Sequence, residues 1–263
     1  MLGELYRPSG LAYETAKAVL ETEEIYACNV ALGCSNNCAY CYVPRFTRRC
    51  RDACDVRLPK KPPVDLVRHQ LEHSWRFHWT SKLGVFLSFL TDPFLPQIKK
   101  STEQLIEHLL DQGVTVATLS KLDASAFYVK HGMTFVSLDD AFHDKFEPLT
   151  MSPKSRIEIL ELCKGKWHEQ VWVSIEPYPP SAIYKQRIEE LLEELNFVDL
   201  IVFGRWRYDA RASTKDAKLE YANYVQTVED FCKENHIRCH IKNDTRRFIE
   251  DAYNKNRETR ERG

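Results

Sequence analysis

The stretch "ALGCSNNCAYCYVP", residues 31–44, places Cys34, Cys38 and Cys41 in a C-x3-C-x2-C spacing, with Tyr40 and Tyr42 on either side of the last thiol. No fourth cysteine completes the group at short range. The next two, Cys50 and Cys54, form a looser pair, and Cys28, Cys163, Cys232 and Cys239 are scattered. A structural zinc site wants four protein ligands, commonly from two short knuckles. A four-iron cluster also usually takes four cysteines. Three thiols on one loop would leave one iron open to another ligand. Cys28, Cys50 or Cys54 could instead complete a zinc site.

Working outward, the run "IYACNVAL" before this stretch reads as a strand. Six further short runs follow: "GVFLSFLT", "VTVATLS", "TFVSL", "VWVSIE", "LIVFG" and "RCHIK". They are continuous and rich in Val, Ile and Phe, as parallel strands covered on both faces are. Helical patterns separate them. Ser101 and Gln104 read as a capping box, with Gly113 closing that helix. Ser152 and Pro153 open another helix, ending near Gly165. Ser181 opens one through "EELLEEL", and 62–79 and 214–235 are helical in pattern. Strand followed by helix, repeated along the chain, specifies a complete or partial (β/α) barrel of parallel strands. The cysteine loop then follows the first barrel strand. Residues 25–243 form the barrel, 1–24 an N-terminal extension, and 244–263 a C-terminal helix and charged tail.

In such a barrel, functional groups collect at the carboxyl ends of strands. Thr91 and Asp92, Ser120 and Lys121, Ser137 and Asp139, Glu176, Arg205 and Trp206, and Lys242 all fall there. Asp accepts from an ammonium group, and Lys pairs with a carboxylate. Apart from a metal, nothing obvious in the sequence anchors the cysteine loop.

Composition narrows the class. The 263 residues carry a formal net charge of −1 and are 43% hydrophobic, so the chain has core material but no global field for nucleic acid. No run approaches the ~20 apolar residues of a membrane span, and the N-terminus has no signal-peptide core. The expected location is the cytoplasm, where cysteines stay reduced or bind metal. The exception to charge neutrality is local. Arg45, Arg48, Arg49, Arg51, Arg57, Lys60 and Lys61 oppose only Asp52 and Asp55 in residues 44–61. Such a patch, directly after the cysteine loop, suits a nucleic acid or nucleotide, although Phe46 alone offers an aromatic face. His69, His73 and His78 lie in a helical segment and are expected in solvent or against Trp75 and Trp79.

C-x3-C-x-aromatic-C resembles the signature of the radical S-adenosylmethionine enzymes. "GCSNNCAYCYVP", "LTDPF", "LSK" and "SLDD…FEPLTMSPKSR" are similar to the spore photoproduct lyase-like group within it. The resemblance implies a [4Fe–4S] cluster on Cys34, Cys38 and Cys41, with S-adenosylmethionine on the open iron. It places Asp92, Lys121 and Ser137 around that cofactor. Arg156 would either join them or pair with Glu147. It also implies an electron donor such as ferredoxin or flavodoxin. In these lyases a cysteine shortly before the Thr/Ser-Asp turn returns a hydrogen atom to the product. Here that stretch is Ser88, Phe89 and Leu90, leaving Tyr40 and Tyr42 as candidate catalytic residues. The rival reading is a non-catalytic iron–sulfur or zinc module that binds nucleic acid.

Overall fold

The computed structural model describes residues 2–46, 55–77, 82–167 and 170–250. Cys50, Cys54, His78, Trp79, Arg48, Arg49 and Arg51 of the basic patch, and the tail from 251 lie outside them. The fold is α/β. Eight strands follow chain order in the sheet: β1 (Leu5–Tyr6), β2 (Glu24–Cys28), β3 (Leu83–Leu87), β4 (Thr115–Ser120), β5 (Lys130–Thr134), β6 (Val171–Tyr178), β7 (Leu200–Arg205) and β8 (Arg238–Ile241). The pairings β2–β3, β3–β4, β4–β5, β6–β7 and β7–β8 are parallel. No helix among the described residues is long and apolar enough to cross a membrane.

Two compact units divide the chain. The first comprises Met1–Met133 and Asp140–Val171. Its helices are α1 (Gly10–Leu20), α2 (Val43–Phe46), α3 (Pro63–His73), α4 (Lys99–Asp111), α5 (Asp140–Phe146) and α6 (Pro153–Trp167). Its core joins Val85 and Leu87 of β3 and Val116 of β4 to Leu105, Ile106 and Leu109 of α4 and Val67 of α3. All five residues of β3 are buried, as a strand covered on both faces requires.

Residues 1–24 are part of this unit, not an appendage to it. β1 pairs antiparallel with β2, Leu5 opposite Cys28, and α1 packs on β2, β3 and β4. A two-residue strand gives almost no periodic signal, which is why sequence patterning passes over it.

The second unit comprises Thr134–Asp139 and Trp172–Gly263, with helices α7 (Ile188–Glu194) and α8 (Lys215–Glu234). Thr214 caps α8, its hydroxyl accepting from the Ala217 N–H at 3.1 Å. Trp172, Tyr178, Phe203 and Tyr221 are buried in its core.

Several local expectations differ from the structure. Ser101 and Gln104 lie inside α4, whose start at Lys99 carries no side-chain cap. The turn after Asp92 starts the helix earlier, with the Thr102 hydroxyl donating to the Pro93 carbonyl at 2.6 Å. Gly113 does close α4, at φ +72°. Ser181 opens no helix; its backbone and hydroxyl bond Glu220 instead. "TFVSL" is not the fourth barrel strand, since β5 occupies Lys130–Thr134 just before it. "KHGMT" lacks the β-branched content that marks strands, and its pairing with β4 overrides propensity.

Candidate functional site

The cysteine loop begins where β2 stops. Asn29 ends the strand by turning its side chain to the next one. Its amide oxygen accepts from the Ser88 hydroxyl and from the N–H groups of Phe89 and Leu90 at 2.9–3.2 Å. That single amide orders the exit of β3. Gly33 then donates its N–H to the Leu90 carbonyl at 3.0 Å, in a left-handed conformation (φ +90°) suited to glycine.

Asp92 is the hub of the next layer and is 8% exposed. One carboxylate oxygen accepts from Asn36 Nδ2 at 3.0 Å and the Lys121 N–H at 2.8 Å. The other accepts from the Ser120 hydroxyl at 2.7 Å and the Phe94 N–H at 3.0 Å. An ionised carboxylate offers about four lone-pair sites, and all are used here. Asp92 therefore binds the cysteine loop, the β3 exit and the β4 exit together. These bonds give Asp92 a structural job at the place where a contact with a cofactor ammonium is expected.

A second anchor holds the far side of the loop. The Ala39 N–H donates to the Phe146 carbonyl at 2.9 Å. The Tyr40 hydroxyl donates to the Glu147 carboxylate, whose other oxygen takes Arg156 Nη2. Glu147 is 2% and Arg156 1% exposed. Arg156 Nε also donates to the Met151 carbonyl at 2.9 Å, and Nη2 to the Thr150 hydroxyl at 3.2 Å. Burial would raise the Glu147 carboxyl, but Lys121, Arg156 and the Tyr40 hydroxyl together hold it below its ordinary value. Tyr42 donates to the Phe89 carbonyl. Both phenols, candidates for catalysis from the sequence, thus tie the cysteine loop down. Of the two alternatives for Arg156, the structure shows the pair with Glu147.

The three thiols are partly buried. Burial pushes Cys34 up to about 11 and Cys38 up to about 12, and it raises Cys41. Lys121 opposes this at all three. Cys34 also accepts from the backbone N–H groups of Asn36 and Asp92, and Cys41 from that of Val43. N–H donors of this kind stabilise a thiolate over a thiol. Burial alone would lower the Lys121 ammonium. Cys38, Glu147 and Asp92 together raise it. Lys121 Nζ sits 5.5 Å from the Tyr40 ring centroid and makes no ion pair among the described residues.

Among the described residues, no group of three or more His, Cys, Asp or Glu side chains is set to close on a single metal ion. By its chemistry, three thiols on one loop with N–H donors and one ammonium beside them, the set is of the kind that would hold an iron–sulfur cluster.

The second unit holds the remaining strand-end residues. Ser137 accepts from the Asp139 N–H at 3.1 Å. Glu176 pairs with Lys242 at 3.4 Å and lies across β7 at Gly204, where a Cβ would stand 2.8 Å from its carboxyl carbon. Arg205 packs its guanidinium 4.2 Å from the Phe248 ring centroid. Trp206 is buried, its N–H shared between the Tyr178 carbonyl and the Tyr221 hydroxyl. Of the basic stretch, Arg57 pairs with Asp55 at 2.8 Å. His69 and His73 stack on one another at 4.3 Å.

Sequence reasoning missed Asn29 and Asn36, which organise both strand exits. Their only signal was position, one residue beyond a strand end and between two cysteines.

No family model matches the chain. It is 28% identical over 228 residues to Uncharacterized protein ORF301 of Acidianus two-tailed virus, covering 78% of this chain and 75% of that protein. Among solved structures it is similar to spore photoproduct lyase complexed with dinucleoside spore photoproduct. The TM-score is 0.60 at 14% identity, over 90% of this chain and 86% of that one. A cysteine-to-serine mutant of spore photoproduct lyase matches with TM-score 0.60 and 14% identity, over 84% and 76%. The chain resembles spore photoproduct lyase in fold, a partial (β/α) barrel of parallel strands.

Proposed function

We propose that the protein is a radical S-adenosylmethionine enzyme whose cluster is held by Cys34, Cys38 and Cys41. The observation that carries this reading is three partly buried thiols on one loop with the Lys121 ammonium acting on each of them. A [4Fe–4S] cluster on three thiolates, when bound, offers one iron to S-adenosylmethionine and the electron for reductive cleavage to a 5′-deoxyadenosyl radical. The chain's own residues set up that site. Asp92 and Asn29 fix the strand exits. Tyr40, Glu147 and Arg156 fix the loop. Lys121 balances thiolate charge and pairs with the cofactor carboxylate. Ferredoxin or flavodoxin is the class of electron donor expected, and a nucleic acid or nucleotide is the substrate class that the 44–61 charge pattern favours.

The direct test is anaerobic reduction with S-adenosylmethionine alone, followed by chromatography for 5′-deoxyadenosine. Its absence from protein with full iron content would refute the reading. Lys121→Ala is expected to weaken S-adenosylmethionine binding by about 2 kcal/mol, roughly 30-fold, because a charged pair in a dry site loses one partner. Unchanged affinity in a titration would remove Lys121 from the cofactor site.

The β3 exit sets the limit on substrate. Ser88 spends its hydroxyl on Asn29, and Phe89 stacks on Phe86 at 4.5 Å. No thiol stands in that turn, so no reversal of a thymine photoproduct in damaged DNA is expected. Clean reversal by the reconstituted enzyme would contradict this and would make Tyr40 or Tyr42 the hydrogen donor.

A further inference from the structure

The run "RWRYDAR", residues 205–211, interleaves arginines with aromatics at and after the end of β7. The 44–61 stretch has charge for a nucleic acid but little aromatic face; this loop carries both. Its backbone is fixed from within the second unit. The Trp206 N–H donates to the Tyr178 carbonyl at 3.1 Å and to the Tyr221 hydroxyl at 2.9 Å, and the Trp206 side chain is buried. Asp209 then caps a short turn at Ala210–Ser213, accepting from the Arg211 N–H at 2.9 Å, and Thr214 caps α8.

Between those anchors stands Tyr208, 42% exposed and in the left-handed region at φ +64°. A bulky side chain is an outlier there, and such strain persists only where the surroundings impose it. The result is an aromatic ring held in contact with water. The Arg207 guanidinium lies over that ring, 5.1 Å from its centroid.

The charge around the ring is positive. Arg211 is matched by Asp209 at 2.7 Å, and Lys242 by Glu176 at 3.4 Å. Arg205 and Arg207 have one carboxylate between them, with Asp244 Oδ2 at 3.9 Å from the first and 3.4 Å from the second. Neither contact is a hydrogen bond. Arg205 Nε and Nη1 and both Asp244 oxygens lack a hydrogen-bond partner among the described residues. One carboxylate cannot neutralise two guanidiniums, so an excess positive charge remains. Arg205 is the more buried of the two and packs on Phe248, whereas Arg207 reaches further into solvent.

We propose that Arg207 and Tyr208 form a binding subsite for one nucleotide, with the base stacked on the Tyr208 ring and the phosphate on the Arg207 guanidinium. Every base has a π-face, so a held, exposed tyrosine stacks bases with little regard to sequence. A guanidinium fork takes two phosphate oxygens at once. Arg205 is a positioning residue: it shares Asp244, so the charge of Arg207 is not spent on that carboxylate. The nucleotide can be free or one unit of a single strand, whereas a duplex keeps its base faces in its own stack. The inference rests on the radical enzyme reading only in making this nucleotide the substrate; binding itself needs no cluster.

The test is fluorescence anisotropy of the full chain with a labelled single-stranded DNA of about ten nucleotides. It is repeated with the same strand as a duplex and with adenosine monophosphate as competitor. The single strand is expected to bind, less tightly as salt is raised, and the duplex far more weakly. Tyr208→Gly is expected to weaken the strand about 10-fold and to keep the wild-type melting temperature, because glycine accepts the left-handed backbone. Tyr208→Phe keeps the ring and should keep the affinity. Arg207→Ala should lower the slope of log affinity against log salt by about one. Adenosine monophosphate that matches the strand assigns the subsite to free nucleotides, and a strand that binds far more tightly assigns it to single strands. No binding of either probe, equal binding of duplex and single strand, or unchanged affinity in Tyr208→Gly would overturn the proposal. Such a failure leaves the 5′-deoxyadenosine test untouched, since that assay contains no substrate.

Discussion

Cys34→Ala, Cys38→Ala and Cys41→Ala are each expected to bring bound iron from about four per chain to near zero, and to abolish cleavage of S-adenosylmethionine with it. The effect is expected to be complete because two thiolates cannot hold a cubane that already lacks one protein ligand. Unfolding is not the cause, and the structure shows why. The loop has its own anchors: Gly33 on Leu90, Asn36 on Asp92, Ala39 on Phe146 and Tyr40 on Glu147. None involves a cysteine side chain. This departs from the expectation that only metal would order the loop. Circular dichroism of the iron-free variants should therefore match that of wild type. Iron analysis and absorbance after anaerobic reconstitution make the measurement. Full iron content in Cys34→Ala would end the cluster assignment, and four-coordinate zinc in its place would favour the binding-module reading.

The parts of this site that the sequence displays are those written in consecutive residues. C-x3-C-x2-C is visible because one loop carries all three thiols. The parallel strands are visible because burial on both faces leaves unbroken apolar runs, and β3 and β7 lie where those runs are. Lys121 was reachable through the rule that functional groups sit at strand ends. The hidden parts depend on pairs far apart in the chain. Tyr40 meets Glu147 across 107 positions, and Asn36 meets Asp92 across 56. Nothing local in a tyrosine tells whether its hydroxyl faces a carboxylate or a substrate. Asp92 shows the same limit in reverse. Its residue type and position suit an ammonium ligand, yet four donors from three segments fill its lone pairs.

Glu147→Ala is expected to destabilise the first unit by about 3–5 kcal/mol, since it takes its carboxylate partner from the buried Arg156 guanidinium, and Arg156→Ala should cost less, because the Lys121 ammonium still acts on Glu147. Both side chains are almost wholly removed from water. Arg156 would keep the Met151 carbonyl and the Thr150 hydroxyl, neither of which carries charge. Glu147 would be left with the Tyr40 hydroxyl and the Lys121 ammonium nearby. Replacing both together, as Glu147→Leu with Arg156→Met, should cost less than the sum of the single changes, because no orphan charge remains. Tyr40→Phe removes one donor to a carboxylate and should cost about 1–3 kcal/mol. The dependence on pH follows from the sign of the shift. Glu147 is held below its ordinary value of 4.5, so its contribution is complete above that pH. It is lost as pH falls through the lowered value, when the carboxylate takes a proton and Arg156 loses its counterion. Urea denaturation at neutral pH reads the single and double variants, and a wild-type series through the acid range reads the linkage. Single variants that lose less than about 1 kcal/mol, or a double variant as costly as the two singles added, would show that the pair does not fasten the cysteine loop. Such a result would move the anchoring role to the Asp92 hub, where Asp92→Asn would then be the decisive change.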